Sequence, residues 1–121
     1  MKIKSFSYTL KQWHYLKGYL SEIYVMIFLT FKGYKILKHR YKTIYGEIDI
    51  VACKDNYLIA IEVKYRKKID DALFSLSQTQ IKRIQKALIN ISHHYKNHGL
   101  RCDMCGVNAS GYIRHLKNIS L

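Results

Sequence analysis

The sequence predicts a small α/β domain in which a mixed β-sheet is flanked by helices. Two observations predict it. Two segments carry apolar residues at steps of three and four, as one face of a helix does, and shorter β-branched segments bounded by turn residues lie between and after them. The 121 residues suit one domain, so residues 1–121 are interpreted as a single unit. Hydrophobic residues make up 49% of the chain, which is enough to bury a core and excludes a disordered protein.

The first helix is predicted over about residues 9–32. Its apolar positions form one stripe at helical spacing: Trp13, Leu16, Leu20, Ile23, Ile27 and Phe31. Gly33 follows as a helix stop. Glu22 interrupts this apolar segment, and a carboxylate among apolar neighbours needs a partner, such as a metal ion or a buried basic group. The alternative is that Glu22 lies at the edge of the stripe and reaches water.

Three strands are predicted next, over about residues 34–41, 46–53 and 57–65. Asp55 and Asn56 lie between the second and third strands, and such residues favour the tight turn of a hairpin. These two strands are therefore expected to pair antiparallel, with the turn centred between Asp55 and Asn56. The segment after the third strand, residues 66–75, is interpreted as a basic, mobile connection.

A second helix is predicted over about residues 78–98. Ser77 and Gln80 have the spacing of a capping box at its start. An apolar stripe follows, made of Ile81, Ile84, Leu88, Ile91 and Tyr95. Gly99 is expected to end this helix, and a last pair of strands is predicted over about residues 101–108 and 112–116.

The acidic residues are scarce, and three of them lie in the two strands of the predicted hairpin. Glu47 and Asp49 belong to a Gly-Glu-Ile-Asp block, and the third acid belongs to a Glu-Val-Lys triplet. Because successive side chains of a strand point to opposite faces, Glu47 and Asp49 are expected on one face, with Ile48 and Ile50 on the other. The apolar side chains can then enter the core while the charged ones line a common surface.

The expected hairpin register brings these acids together. A turn centred between residues 55 and 56 sets Asp49 opposite Glu62, and Glu47 opposite Lys64. Two carboxylates that face each other on a sheet repel, by roughly 0.2–1 kcal/mol, and a cation between them turns this repulsion into a binding site. Oxygen ligands favour Mg²⁺ or Mn²⁺ over zinc. The alternative is an exposed sheet face whose charges meet only water.

Five segments of the chain resemble the YraN family of bacterial proteins: residues 18–22, 33–34, 46–49, 62–66 and 101–103. The specific part is the Gly-Glu-Ile-Asp block followed by Glu-Val-Lys-x-Arg. That family is similar to archaeal Holliday-junction resolvases. The resemblance therefore implies a restriction-endonuclease-like fold with a nuclease core of the PD-(D/E)XK type.

The resemblance also implies roles for the residues that match it. The implied catalytic residues are Asp49, Glu62, Lys64 and Glu22. The three acids among them would hold Mg²⁺ or Mn²⁺, and Lys64 is the lysine of the Glu-x-Lys triplet. Arg66 and Asp103 match positions with supporting roles. Gln80 departs from the family, in which a lysine is common at that position, so DNA contact by this side chain is not expected.

The chain carries 21 Lys and Arg against 8 Asp and Glu, a formal net charge of +13. Such an excess favours nucleic acid, here DNA, as the partner, and no membrane segment or anchor is expected. The predicted DNA contacts are Arg66, Lys67, Lys68, Lys82, Arg83 and Lys86. The three cysteines are an odd number in a domain that can bury a core, which favours a reducing cytoplasm over a disulfide scaffold.

Together these patterns predict a metal-dependent endonuclease that hydrolyses DNA phosphodiesters, acting on branched or structured DNA. The alternative is a non-catalytic nucleic-acid-binding module with a vestigial nuclease site. A further alternative is an accessory subunit whose first-helix stripe docks a partner. Aromatic residues near the N-terminus leave that open, and leave open a homodimer suited to a two-fold branched substrate. These aromatics are Tyr8, Trp13, Tyr15 and Tyr19.

A zinc site is another alternative, with the candidate ligands His94, His98, Cys102 and Cys105. A redox pair of the two cysteines is a weaker hypothesis. Both meet the same objection. Residues three apart on a strand point to opposite faces, so Cys102 and Cys105 are not expected to meet.

Overall fold

The computed structural model describes residues 9–119 and confirms a mixed α/β fold with a five-stranded sheet flanked by helices. The elements in chain order are α1 (Leu10–Phe31), β1 (Lys35–Thr43), β2 (Gly46–Lys54), β3 (Tyr57–Tyr65), α2 (Ile69–Leu73), α3 (Gln78–Ser92), β4 (Gly99–Val107) and β5 (Ile113–Leu116).

The strands lie in the order β1-β2-β3-β4-β5. Neighbouring strands are antiparallel except β3 and β4, which are parallel. A parallel pair needs a crossover connection, and the chain makes it through α2 and α3. Helix α1 packs on one face of the sheet and α3 on the other, so the central strands are covered on both faces.

Each face of the sheet has its own apolar core. On the α1 side, Val25 and Leu29 of the helix pack with Ile50, Ile59 and Ile61 of the sheet. On the α3 side, the helix residues Ile84, Leu88 and Ile91 pack with the sheet residues Ile48, Val51 and Leu58. The sheet residues of both sets are fully buried, so the hairpin that carries the candidate site is held from both sides.

The hairpin of β2 and β3 confirms the predicted register. Facing pairs run from Lys54 and Tyr57 to Ile50 and Ile61. Asp55 and Asn56 both adopt positive φ values, 52° and 65°, which is the geometry of a two-residue hairpin turn. Asx side chains tolerate this conformation better than most residues, so the turn is encoded locally.

Helix α3 begins as predicted but ends earlier. Ser77 accepts a hydrogen bond from the backbone N–H of Gln80, and the Gln80 side chain accepts one from the Ser77 N–H, which is a complete capping box. The predicted helix over 78–98 is wrong beyond Ser92. Gly99 does not end the helix but starts β4, where its N–H donates to the carbonyl of Asn56 at 2.8 Å.

The connection predicted over residues 66–75 contains the short helix α2. Ala72 of this helix is fully buried. It packs on β4 at Gly106, where a Cβ would lie 3.2 Å from the Ala72 Cβ. The prediction of an unstructured connection is therefore wrong for this segment, because a close approach of helix to strand at a glycine holds it in place.

Helix α1 buries a different face from its apolar stripe. Its buried residues are Ser21, Glu22, Val25 and Leu29. A stripe of apolar residues is ordinarily the buried side of a helix, yet Leu20 and Ile27 are 54% and 55% exposed and Phe31 is 89% exposed. Helix α1 is therefore apolar on both sides, and the sheet covers only the side that carries Glu22.

Within residues 9–119, none of the helices combines the length and the apolar character that crossing a membrane requires. Tyr8, one of the N-terminal aromatic residues, lies outside the described residues.

Candidate functional site

The candidate site lies where β2 and β3 stop pairing. Regular pairing ends at Ile50 and Ile61, and the next residues toward the open end are Asp49 and Glu62. The Glu62 carboxylate accepts from the backbone N–H of Asp49 at 3.4 Å. In return, the Asp49 carboxylate accepts from the backbone N–H of Val63 at 2.9 Å. Each carboxylate thus reaches the opposite strand, and the two acids lie side by side as predicted.

The alternation of side chains breaks at Asp49. Ile50 packs in the core on the α1 side, whereas Ile48 packs in the core on the α3 side. The prediction that these two isoleucines share a face is therefore wrong. The break lies opposite Arg40 of the neighbouring strand, which has a φ of 54° between the paired residues His39 and Tyr41. A non-glycine residue in this left-handed region interrupts the ladder locally.

The predicted pairing of Glu47 with Lys64 is also not found. Glu47 faces Lys42 of β1, and the described pairing of β2 with β3 does not extend to Glu47. Beyond Ile50 the two strands of the hairpin separate. There the Asp49 and Glu62 carboxylates each accept a hydrogen bond from a backbone N–H of the opposite strand.

Burial and mutual repulsion set the electrostatics of the pair. Glu62 is 4% exposed. Burial, followed by the negative charge of Asp49, raises the pKa of Glu62 to about 8. Burial also raises the pKa of Asp49, and the charge of Glu22 acts in the same direction. The charge of Lys64 lowers both pKa values, so this lysine is the nearby cation that partly offsets the repulsion.

Glu22 has basic partners. The Arg40 guanidinium donates to its two carboxylate oxygens at 2.9 and 3.2 Å, and Nε2 of His39 lies 2.8 Å from one of them. Two kinds of partner were predicted for this buried acid, a metal ion or a basic group, and the structure shows the basic group. Among the described residues, no three His, Cys, Asp or Glu side chains gather as a group that could hold a metal. Glu22 therefore acts on Asp49 through its charge, while its carboxylate contacts Arg40 and His39.

Arg40 is held on several sides. Its guanidinium lies over the rings of Tyr15 and Tyr19, 4.8 and 5.1 Å from their centroids. The hydrogen bond to Glu22 holds the pKa of Arg40 above its ordinary value. Arg40 is not among the site residues predicted from the sequence. Its only sequence signal is a basic residue in the strand that precedes the Gly-Glu-Ile-Asp block.

A basic groove adjoins the carboxylate pair. Its volume is about 560 Å³, and its polar and charged lining comprises His14, Lys17, Lys64, Arg66 and Lys67. Lys64, Arg66 and Lys67 were predicted, whereas His14 and Lys17 come from α1 and were missed. Helical spacing alone cannot indicate them, because their place in the groove depends on how α1 crosses the end of β3.

The other predicted basic residues lie on the far side of the sheet. Lys82, Arg83 and Lys86 are exposed on α3. The side chain of Arg83 packs against Gly46 at the start of β2, where a Cβ would lie 3.0 Å from its Cδ atom. The start of β2 and the end of β3 are the same end of the sheet. Arg83 therefore reaches the sheet end that carries Asp49 and Glu62 from the α3 face. Lys68, which follows the groove residue Lys67, is also exposed.

Asp103 and the cysteines Cys102 and Cys105 lie on β4, the strand next to the one that carries Glu62. Asp103 is 1% exposed. Its carboxylate is hydrogen-bonded to the side chains of Arg101 and His115 and to the backbone N–H of Asn118. These hydrogen bonds tie β4 to the chain around β5. Cys102 packs in the core on the α3 side and Cys105 in the core on the α1 side. The two thiols do not meet, so the zinc and redox alternatives are wrong.

The comparisons with known proteins agree with one another. The model of the family described as "Uncharacterised protein family UPF0102" matches residues 21–107. A UPF0102 protein of Ehrlichia chaffeensis is 39% identical over 102 residues, which cover 82% of each chain. One from Sinorhizobium medicae is 36% identical over 83% of this chain and 84% of its own, and one from a Chelativorans species is 34% identical over 90% of each. The matched residues include the whole hairpin and Glu22.

Proposed function

The chain belongs to the UPF0102 (YraN) family, and from its site we propose that it is a divalent-metal-dependent endonuclease that hydrolyses DNA phosphodiesters. We also propose that its fold is related to the restriction-endonuclease-like fold of the resolvases. One observation carries the proposal. The half-buried Asp49 and the buried Glu62 lie side by side at the opened end of a hairpin, beside a basic groove.

The carboxylate pair suits Mg²⁺ or Mn²⁺. Burial and the charge of Asp49 raise the pKa of Glu62, and a cation between the two acids would stabilise their charged forms. Mg²⁺ is commonly held by one or two carboxylates, with substrate phosphates and water completing its shell, so Asp49 and Glu62 are a sufficient protein contribution. Such a cation supplies water activation and stabilises charge on the phosphate. Glu22 acts through its charge, and a direct bond to the cation would require it to leave Arg40.

Lys64 is proposed to stabilise charge on the scissile phosphate. It is half-exposed, lines the groove and lies near enough to both carboxylates for its charge to lower their pKa values. An ammonium in that position attracts the phosphate and favours the transition state, in which the negative charge on the phosphate oxygens redistributes. Its place beside the two acids suits a positive charge that stabilises the phosphate rather than a general base.

DNA is proposed to bind across the sheet end that carries the acids. The groove residues Arg66 and Lys67 lie on one side of it, and the exposed α3 residue Arg83 lies on the other. Basic groups on both sides of the acids would hold a phosphate backbone over Asp49 and Glu62. The free cysteines are consistent with a cytoplasmic location, which we propose with the function.

The first prediction tests this chemistry with Asp49→Asn. We expect cleavage to fall on the order of 100-fold or more, because the substitution removes a charged ligand and keeps the side-chain size. DNA affinity should stay the same or rise, because a repulsion between carboxylate and phosphate is lost. The measurement is cleavage of duplex, nicked, flapped and four-way-junction DNA with Mg²⁺, with Mn²⁺ and with EDTA, and binding is measured on the same substrates.

The matched control is Asp55→Asn, at the exposed turn of the same hairpin. It makes the same change in charge and should leave cleavage and binding unchanged. If the wild type cuts none of these substrates with either metal, the nuclease proposal is wrong. Salt-sensitive binding without a metal requirement would then identify the non-catalytic binding module instead.

A further inference from the structure

The outward side of α1 carries the largest exposed apolar side chains of that helix. Leu20 and Ile27 are 54% and 55% exposed, Phe31 is 89% exposed and Trp13 is 46% exposed. They belong to the apolar stripe that also includes Leu16 and Ile23, and this set of six is here called the outer stripe. The inward side of the same helix packs in the core through Val25 and Leu29. Apolar surface on both sides of one helix indicates that a second surface covers the outer stripe.

The spacing of the outer stripe is that of a helix–helix seam. From residue 13 its steps are three, four, three and four as far as residue 27, which is the alternating pattern of paired helices. An amphipathic helix that only covers a sheet does not need this narrow pattern. The stripe extends over about 27 Å, at 1.5 Å of rise per residue. That length is enough for several layers of interlocking side chains.

The charges around the stripe do not oppose contact between two copies. None of its six residues is charged, and the only acid of α1, Glu22, is buried on the opposite side. The net charge of +13 repels a second copy at long range, but salt at physiological strength screens such repulsion beyond about 8 Å. An uncharged apolar seam can therefore form between two strongly basic chains.

The area is sufficient for a reversible dimer. The exposed fractions of these side chains give an estimate of the area. The outer stripe, with the residues beside it on α1, would bury roughly 600 Å² of accessible surface on each copy, or about 1,200 Å² in total. That value lies at the lower bound for specific interfaces, so we expect a dissociation constant in roughly the micromolar range.

We propose that two copies of this chain associate through the outer stripes of their α1 helices. Each copy supplies the same surface, as a two-fold interface requires. Glu22 is buried on the opposite side of α1 from the stripe, and most of the groove lining comes from residues 63–67 at the end of β3, so both carboxylate pairs remain accessible in the dimer. The inference does not depend on the proposed nuclease activity, because it rests on a different face of the molecule.

The test compares two substitutions that make the same change at equally exposed isoleucines. Ile27→Glu lies in the outer stripe and Ile89→Glu lies on α3, and their side chains are 55% and 54% exposed in the wild type. Sedimentation equilibrium should show wild type and Ile89→Glu approaching twice the chain mass of 14.4 kDa with rising concentration. Ile27→Glu should raise the dissociation constant at least tenfold, with an unchanged circular dichroism spectrum.

Salt supplies an independent readout. Dimerisation through an apolar seam should strengthen with added NaCl, because screening reduces the repulsion between like charges. A wild type that stays at 14.4 kDa at the highest concentrations overturns the proposal, as does a dimer that Ile27→Glu leaves intact. Binding of lipid vesicles by a monomeric wild type, abolished by Ile27→Glu, would overturn it in favour of a membrane surface.

Discussion

At the scale of single residues, the ion pair of Glu22 and Arg40 joins α1 to the strand next to the candidate site. Glu22 is 7% exposed, and Arg40 supplies its bidentate partner from a backbone position with positive φ. A buried carboxylate that loses such a partner keeps its desolvation penalty without compensation. Because the charge of Glu22 also acts on Asp49, the pair influences the site without belonging to it.

Replacing Arg40 tests this role. Arg40→Ala should lower the free energy of unfolding by about 2 kcal/mol, because Glu22 keeps only His39 as a partner. Lys42→Ala, two residues along the same strand at an exposed position, should change it by less than about 0.5 kcal/mol. Urea unfolding at pH 7 measures both. If the two substitutions have equal effects, the ion pair is not a source of stability.

At the scale of elements, the start of β4 depends on a close approach between strands. Gly99 faces Tyr57 across the parallel pair, and a Cβ at residue 99 would lie 2.7 Å from the Tyr57 ring. Only glycine fits there without displacing the ring. The chain leaves the helical conformation after Ser92, so Tyr95, an apolar residue with helical spacing, lies beyond the end of α3.

Two glycine substitutions test that contact. Gly99→Ala should destabilise the fold by roughly 1–3 kcal/mol through overpacking. Gly18→Ala makes the same change inside α1, where no atom lies within 4 Å of the new Cβ, and should stabilise the fold by roughly 0.5–1 kcal/mol. Thermal unfolding of both variants checks the opposite signs. A neutral Gly99→Ala would mean that the Tyr57 ring moves aside freely.

At the scale of the whole molecule, the basic residues that are proposed to bind DNA lie at one end of the sheet. The groove lies there on the α1 side, and Arg83 contacts the start of β2 there on the α3 side. Lysines also occur at the opposite end. Lys35 starts β1, and Lys96 precedes the start of β4. Substitutions in the two sets remove the same charge at opposite ends of the sheet, so they separate the effect of position from the effect of net charge on DNA binding.

A charge-matched pair of double variants makes this separation. Lys67→Ala with Lys82→Ala should weaken DNA binding uniformly across sequences and reduce the salt slope of the logarithm of affinity by about 2. Lys35→Ala with Lys96→Ala removes the same charge at the other end and should leave the slope nearly unchanged. Fluorescence anisotropy at several NaCl concentrations measures both. Equal slopes for the two double variants would place the DNA surface elsewhere.

The features that could be predicted from the sequence are encoded by residues close together along the chain. The turn at Asp55 and Asn56 sets the hairpin register, because both residues tolerate positive φ and two residues suffice to reverse the chain. Ser77 and Gln80 set the start of α3 within four residues. The proximity of Asp49 and Glu62 follows from the hairpin alone, so this pair could be found without the rest of the fold.

Contacts between elements that are far apart in the sequence could be found only in the folded structure. The partner of Glu22 is Arg40, and their meeting requires β1 to lie beside α1. The same packing brings Lys17 into the groove. Helix α1 has apolar residues on two sides. The sheet covers the side that carries Val25, where Glu22 also meets its guanidinium partner, and most of the outer stripe is left exposed.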